Sequence, residues 1–223
     1  MMKKTIVACG VLAAAFWMAG CSTGSGGTAR SSAVDYDKMT ADIIKASFVE
    51  RGIAKLDRLE QDQARKACWE SEVTGKPLDP KVEKAIEEAA LKSVKWPSDG
   101  KFLGDWREGE KIAQSGRGLT WTDDEKVVNG GNCYNCHQID KKEISYGTLG
   151  PSLWNYGKMR GVTNPDDPAA KPIIEYTWAK IWNSRAYNAC TKMPSAGHKG
   201  ILNEEQIKHI MALLLDPKSP VNQ

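Results

Sequence analysis

Asn132-Cys133-Tyr134-Asn135-Cys136-His137 is the stretch that decides how this chain folds. Two cysteines three apart, followed at once by histidine, form the attachment pattern of covalent haem c: the thiols take the two vinyl groups as thioethers and the histidine reaches the iron. The same pair is compatible with half of a zinc knuckle or a thioredoxin-like redox couple. A knuckle needs a second Cys-x-x-Cys and a redox couple needs a strand leading into a helix, and neither frames this pair. The expected cofactor is therefore one haem c, covalently held by Cys133 and Cys136 and ligated by His137.

Working outward, 223 residues allow one domain with appendages or two small domains. The 31 basic and 28 acidic residues leave a formal charge of +3. No run concentrates it, so nothing points to nucleic acid as a partner. Iron ligands come from a short list, and the chain has only three histidines, His137, His198 and His209.

Residues 1–20 have the layout of a signal peptide, with Lys3 and Lys4 followed by an apolar run too short for a confident membrane span. The end of that run, Met18-Ala19-Gly20-Cys21, resembles the lipobox of bacterial lipoproteins. That resemblance implies cleavage before Cys21 and acylation of its thiol, which would tether a periplasmic protein to a membrane surface. Ordinary cleavage nearby and a soluble periplasmic product is the alternative. Residues 21–34, rich in Gly, Ser and Thr, read as a flexible tether.

Residues 35–97 read as a helical extension. Met39, Ile43, Ala46, Val49, Ile53, Leu56 and Leu59 recur at three- and four-residue steps, predicting one helix over 35–72 weakened at Gly52. Asp79 and Pro80 start a second helix, whose apolar side is Val82, Ile86, Ala89 and Ala90. The pair is too small to hold a core alone and is expected to pack on the haem domain or on a partner.

A composition shift at residues 96–100 opens the haem domain, 98–223. Residues 106–113 resemble the first helix of a class I cytochrome c, where a glycine lets another helix cross closely. Thr122 and Glu125 read as a capping box that starts a further helix before the haem cysteines. Helices are also expected over 174–187 and over 203–215, the latter capped by Asn203 with Gln206. The expected fold class is all-α, and the resemblance implies a class I cytochrome c domain with an N-terminal helical extension.

Three readings compete for the other face of the iron. Met193, in Lys192-Met193-Pro194, lies in a loop between two apolar helices, and a thioether from such a loop is the common sixth ligand of small cytochromes c. His198 lies five residues on, and an open five-coordinate iron is the third reading. His209 also reads as a surface or capping histidine, while Met211 fits the apolar stripe of the last helix and Met159 is a poorer ligand. On the histidine side, Gly147-Thr148-Leu149-Gly150-Pro151-Ser152-Leu153 resembles the class I loop whose proline carbonyl fixes the proximal histidine, which implies that role for Pro151. Trp154, Tyr156, Trp178 and Trp182 read as pocket wall and core, with indole nitrogens in reach of a propionate.

Of six cysteines, Cys9 would leave with the signal, the lipobox resemblance gives Cys21 to lipid, and two carry haem. Cys68 and Cys190 remain. An even remainder in an oxidising compartment predicts a disulfide pinning the extension to the loop before Met193; two buried thiols or one reactive thiol are the rival readings.

The order of segments, from Gly131 through the haem cysteines and residues 147–153 to Tyr176-Thr177, Asn188-Ala189, Met193-Pro194 and Asp216-Pro217, resembles the SoxX subunit of the SoxAX cytochromes of bacterial sulfur oxidation. The match runs over about residues 106–222. The resemblance implies a heterodimer in which a SoxA-type dihaem or monohaem subunit holds the catalytic cysteine, and thiosulfate is oxidatively conjugated to a cysteine of a SoxYZ-type carrier protein. The complex would be an L-cysteine S-thiosulfotransferase. This chain, with His137 and Met193 on its iron, would relay the electrons to a downstream cytochrome c. The extension and the lipobox go beyond the minimal family pattern. Two other readings stay open, a free-standing lipid-tethered monohaem shuttle and a haem gas sensor.

Overall fold

A computed structural model describes residues 34–223, so the signal, Cys9 and the lipobox with Cys21 lie outside the described residues. The chain divides after Ala46 into two units. Of the first, the described part is most of one helix, α1 (Tyr36–Ser47), whose start is capped by the Asp35 carboxylate accepting from Lys38 N.

The second unit holds the other six helices. These are α2 (Gln63–Thr74), α3 (Pro80–Lys92), α4 (Trp106–Gln114), the short α5 (Tyr156–Met159), α6 (Lys171–Trp182) and α7 (Glu204–Leu215). Among the described residues no strand occurs, only an isolated bridge between Arg51 and Ala54. The fold is the all-α one expected of a class I cytochrome c.

Three expected helices come out differently. The single helix over 35–72 is two, because the chain turns back at Gly52 (φ 51°), makes the Arg51–Ala54 bridge and passes a 3-10 turn before Asp62 caps α2. Apolar spacing continued through a turn it could not detect. No helix follows Thr122. Instead Asp123 accepts from Thr120 N and Asp124 from Lys126 N, so the local carboxylates close turns in place of capping a helix. The helix expected over 174–187 breaks at Asn183 (φ −136°, ψ 97°), whose side chain then accepts from Arg185 N and starts a 3-10 turn.

The core is α7. Ile207, Ile210, Met211, Leu213, Leu214 and Leu215 are all buried, each worth roughly 1.5–3 kcal/mol by removal from water. Asn203 and Gln206 form the expected capping box. Helix α4 crosses α7 closely: a Cβ on Gly109 would overlap the His209 carbonyl oxygen, so only glycine permits this approach. Gly104 N donates to Lys208 O and Asp105 N to His209 Nδ1, each at 2.9 Å, which docks the start of α4 on α7. The Lys208 ammonium is buried among Glu205 (2.8 Å), Asp99 (3.0 Å) and Glu204 (3.1 Å). These partners, Glu205 first, raise its pKa and offset its desolvation.

Helix α3 packs on the turn Ser184–Tyr187. Asn183 Nδ2 donates to Ser93 Oγ and the Trp178 indole to the Lys95 carbonyl. That indole was expected within reach of a propionate. Full burial makes an internal acceptor obligatory, and the end of the extension supplies it.

Candidate haem site

The cysteine pair sits on a 3-10 turn, Cys133–Asn135, entered through Asn132 in the left-handed region (φ 52°), which asparagine tolerates better than most side chains. Gly131 N and Asn132 N donate to the carbonyls of Ile112 and Ser115, hanging the turn from the end of α4. Within it, Cys136 N and His137 N both donate to Cys133 O, at 3.1 and 2.9 Å. Cys133 and Cys136 are the free cysteines among the described residues.

Residues 147–153 then run alongside. Gly147 N donates to Tyr134 O, Gly150 N to Cys136 O and Leu153 N to Gln138 O, at 2.8, 2.8 and 2.7 Å. This zipper brings Pro151 O to 2.7 Å from His137 Nδ1. A carbonyl can only accept, so Nδ1 carries the proton and Nε2 presents its lone pair. A Cβ on Gly150 would run into the His137 ring, so glycine here leaves the space the imidazole fills.

These features fit covalent haem. One nitrogen of His137 is committed and the other is free to ligate, while the two thiols are close in the chain and not bonded to each other. The rival readings fit less well. Cys133 is half-buried as a residue but packs against the core, and burial pushes its thiol up to about 12, opposite to the lowered pKa of a redox couple. No group of three or more His, Cys, Asp or Glu suited to a metal ion occurs among the described residues, so the pair lacks the companions of a zinc knuckle. Bound haem would supply one-electron chemistry at its iron; the protein holds, orients and shields it.

Beneath the turn, buried Tyr134 donates to Glu110 Oε1 at 2.9 Å and receives Asp140 N at 3.2 Å. Glu110 Oε2 is buried without a partner, and burial raises the Glu110 pKa. No sequence signal marked this pair, since Glu110 reads as an ordinary surface position of an amphipathic helix.

Met193, the sequence's candidate sixth ligand, is half-buried and packs, like Cys133, on the core cluster that includes Trp178, Trp182 and Ile207. Its carbonyl accepts from Ser184 Oγ and its amide donates to Thr191 Oγ1. Asn183 Oδ1 accepts from Ser195 Oγ at 2.9 Å, and Ala196 N and His198 N donate to Ile181 O and Trp182 O. Ser184 and Asn183 carry no motif, and only the folded loop reveals their part. His198 is exposed, Met159 is 77% exposed and Met211 is fully buried. His209 Nδ1 is spent on Asp105 N.

Cys68 and Cys190 form a disulfide. It joins α2 to the segment three residues before Met193.

A helical fold that hangs a Cys-x-x-Cys-His turn from the close crossing of its first and last haem-domain helices, with a proline carbonyl on the histidine, defines a class I c-type cytochrome domain. The cytochrome c family model matches residues 125–217. The chain is also similar to an uncharacterized lipoprotein of Aquifex aeolicus (strain VF5), 35% identical over 170 residues that cover 73% of each chain. Residues 125–217 of this chain are therefore a cytochrome c domain, whose chemistry is electron transfer through covalently bound haem.

Proposed function

We propose that this protein is the electron-accepting haem subunit of a SoxAX-type complex, in which a partner cytochrome oxidatively joins thiosulfate to a carrier-protein cysteine. The order of motifs from Gly131 to Asp216-Pro217 carries this reading. The geometry supports a relay: the carbonyl and backbone groups about His137 fix the orientation of a ligand. In this reading His137 and Met193 hold the iron, two electrons leave the sulfur chemistry on the partner, and this haem passes them singly to a further cytochrome c.

The similarity to a lipoprotein favours an anchored form, with Cys21 as the acylated residue and the periplasmic face as its place. It also favours a second reading, a lipid-tethered shuttle free of sulfur chemistry. Purification of the haem-loaded chain from membrane extract, followed by haem staining and a reduction assay, separates the two. A tightly bound second cytochrome, with haem reduction requiring both thiosulfate and the carrier protein, is the expected result. A lone protein reduced only by general donors would leave the shuttle.

A further inference from the structure

The loop that carries Met193 is held from outside the haem domain. Besides the Cys68–Cys190 disulfide, Arg185 pairs with Asp62 at 3.0 Å, Lys192 with Glu72 at 2.8 Å, and Ala189 N donates to Glu87 Oε1 at 3.2 Å. All four reach from the extension to residues 185–192. Packing covers only part of this face: α3 lies against residues 184–187, but a groove of about 1020 Å³ opens between α2, α3 and residues 191–201. The loop is tied at points, and the disulfide is the one covalent tie. The ion pairs are more modest, since Lys192 and Glu72 are both about two-thirds exposed.

We propose that the helical extension is the positioning clamp of the sixth iron ligand, with Cys68–Cys190 setting how often Met193 is free to leave. The proposal rests on Met193 as that ligand. A thioether is a weak ligand, so its occupancy depends on how firmly the backbone around it is closed. An external ligand competes only with that closing equilibrium, and its apparent affinity reports the fraction of open loop.

The test is an imidazole titration of the oxidised, haem-loaded full chain, following loss of the thioether–iron absorption band. Cys68→Ser/Cys190→Ser, at unchanged helix content by circular dichroism, is expected to bind imidazole with an apparent Kd at least about tenfold lower than wild type. A merely structural bridge would lower thermal stability without moving that Kd, and an unchanged Kd overturns the clamp. Met193→Ala tests the underlying reading separately: it must abolish the band, and a band that survives it removes Met193 as ligand whatever the disulfide does. Should the double variant fail to fold, Glu87→Ala/Lys192→Ala keeps the bridge and is expected to lower the Kd about two- to threefold. No shift in that variant overturns the clamp as well.

Discussion

The His137 turn and the Met193 loop are built in opposite ways. Around His137 every positioning contact comes from residues 131–153 and the nearby end of α4, joined by backbone hydrogen bonds and one carbonyl. Around Met193 the loop is held by Ser184 and Asn183 from the end of α6 and by groups 100 or more residues earlier in the chain. The first side can form as soon as a short segment closes. The second waits for the whole unit to assemble, which makes it the side that mutation, denaturant or a competing ligand should release first.

Removing the distant tie should have the largest effect. The disulfide closes a sequence separation of 122 residues, and the chain-entropy account assigns such a loop about 5 kcal/mol. Cys68→Ser/Cys190→Ser should therefore lower the thermal midpoint by well over ten degrees in calorimetry; a change of only a few degrees would mean that α2 and α3 hold the loop without it.

Next comes Gly150→Ala. The new methyl meets the His137 ring, so about 1–3 kcal/mol should be lost, with the proximal bond disturbed. Visible and resonance Raman spectra of the haem-loaded variant would show a weakened histidine–iron bond, and an unaltered spectrum would mean the 147–153 segment slides without cost.

Ser184→Ala removes the hydroxyl that donates to Met193 O, worth about 1 kcal/mol. Chemical denaturation should register that loss together with earlier disappearance of the thioether band. Equal loss of helix and band would show that Ser184 serves the core and not the loop.

The pH prediction concerns the histidine side. Burial raises the Glu110 pKa above its ordinary 4.5, so the stabilisation from its protonated form is full below about pH 4.5 and is lost as pH rises through the raised value. Glu110→Gln keeps an amide that can accept from Tyr134 and should flatten this decline. Thermal midpoints measured from pH 4 to 8 would reveal it, and parallel curves for the two proteins would deny Glu110 the effect. The smallest change is expected of Lys192→Ala alone, at most about 1 kcal/mol, because the pair with Glu72 is exposed.

Legibility in the sequence follows the same division. Cys133, Cys136 and His137 could be read because their chemistry needs particular residue types at short, fixed spacing, and the Pro151 loop only through its resemblance to the class I loop. The cap at Asn203 and Gln206 and the apolar face of α7 were legible for the same reason: local hydrogen bonding and helical period leave their mark within a few residues. The reading failed where two local rules competed. Thr122 and Glu125 have the letters of a cap, yet Asp123 and Asp124 close turns there, and the period over 35–72 runs on through the reversal at Gly52.

By itself the sequence determined the Cys-x-x-Cys-His pattern that calls for covalent haem, the helical class and the pair of cysteines left over for a bridge. Only the tertiary structure decided that Trp178 bonds to the extension, that His209 caps α4, and that Ser184, Asn183, Glu72, Asp62 and Glu87 converge on the Met193 loop. The reason is range. Bonds between neighbours constrain which residues may follow one another, whereas a contact across a hundred residues needs only a partner of complementary chemistry and leaves no spacing to read.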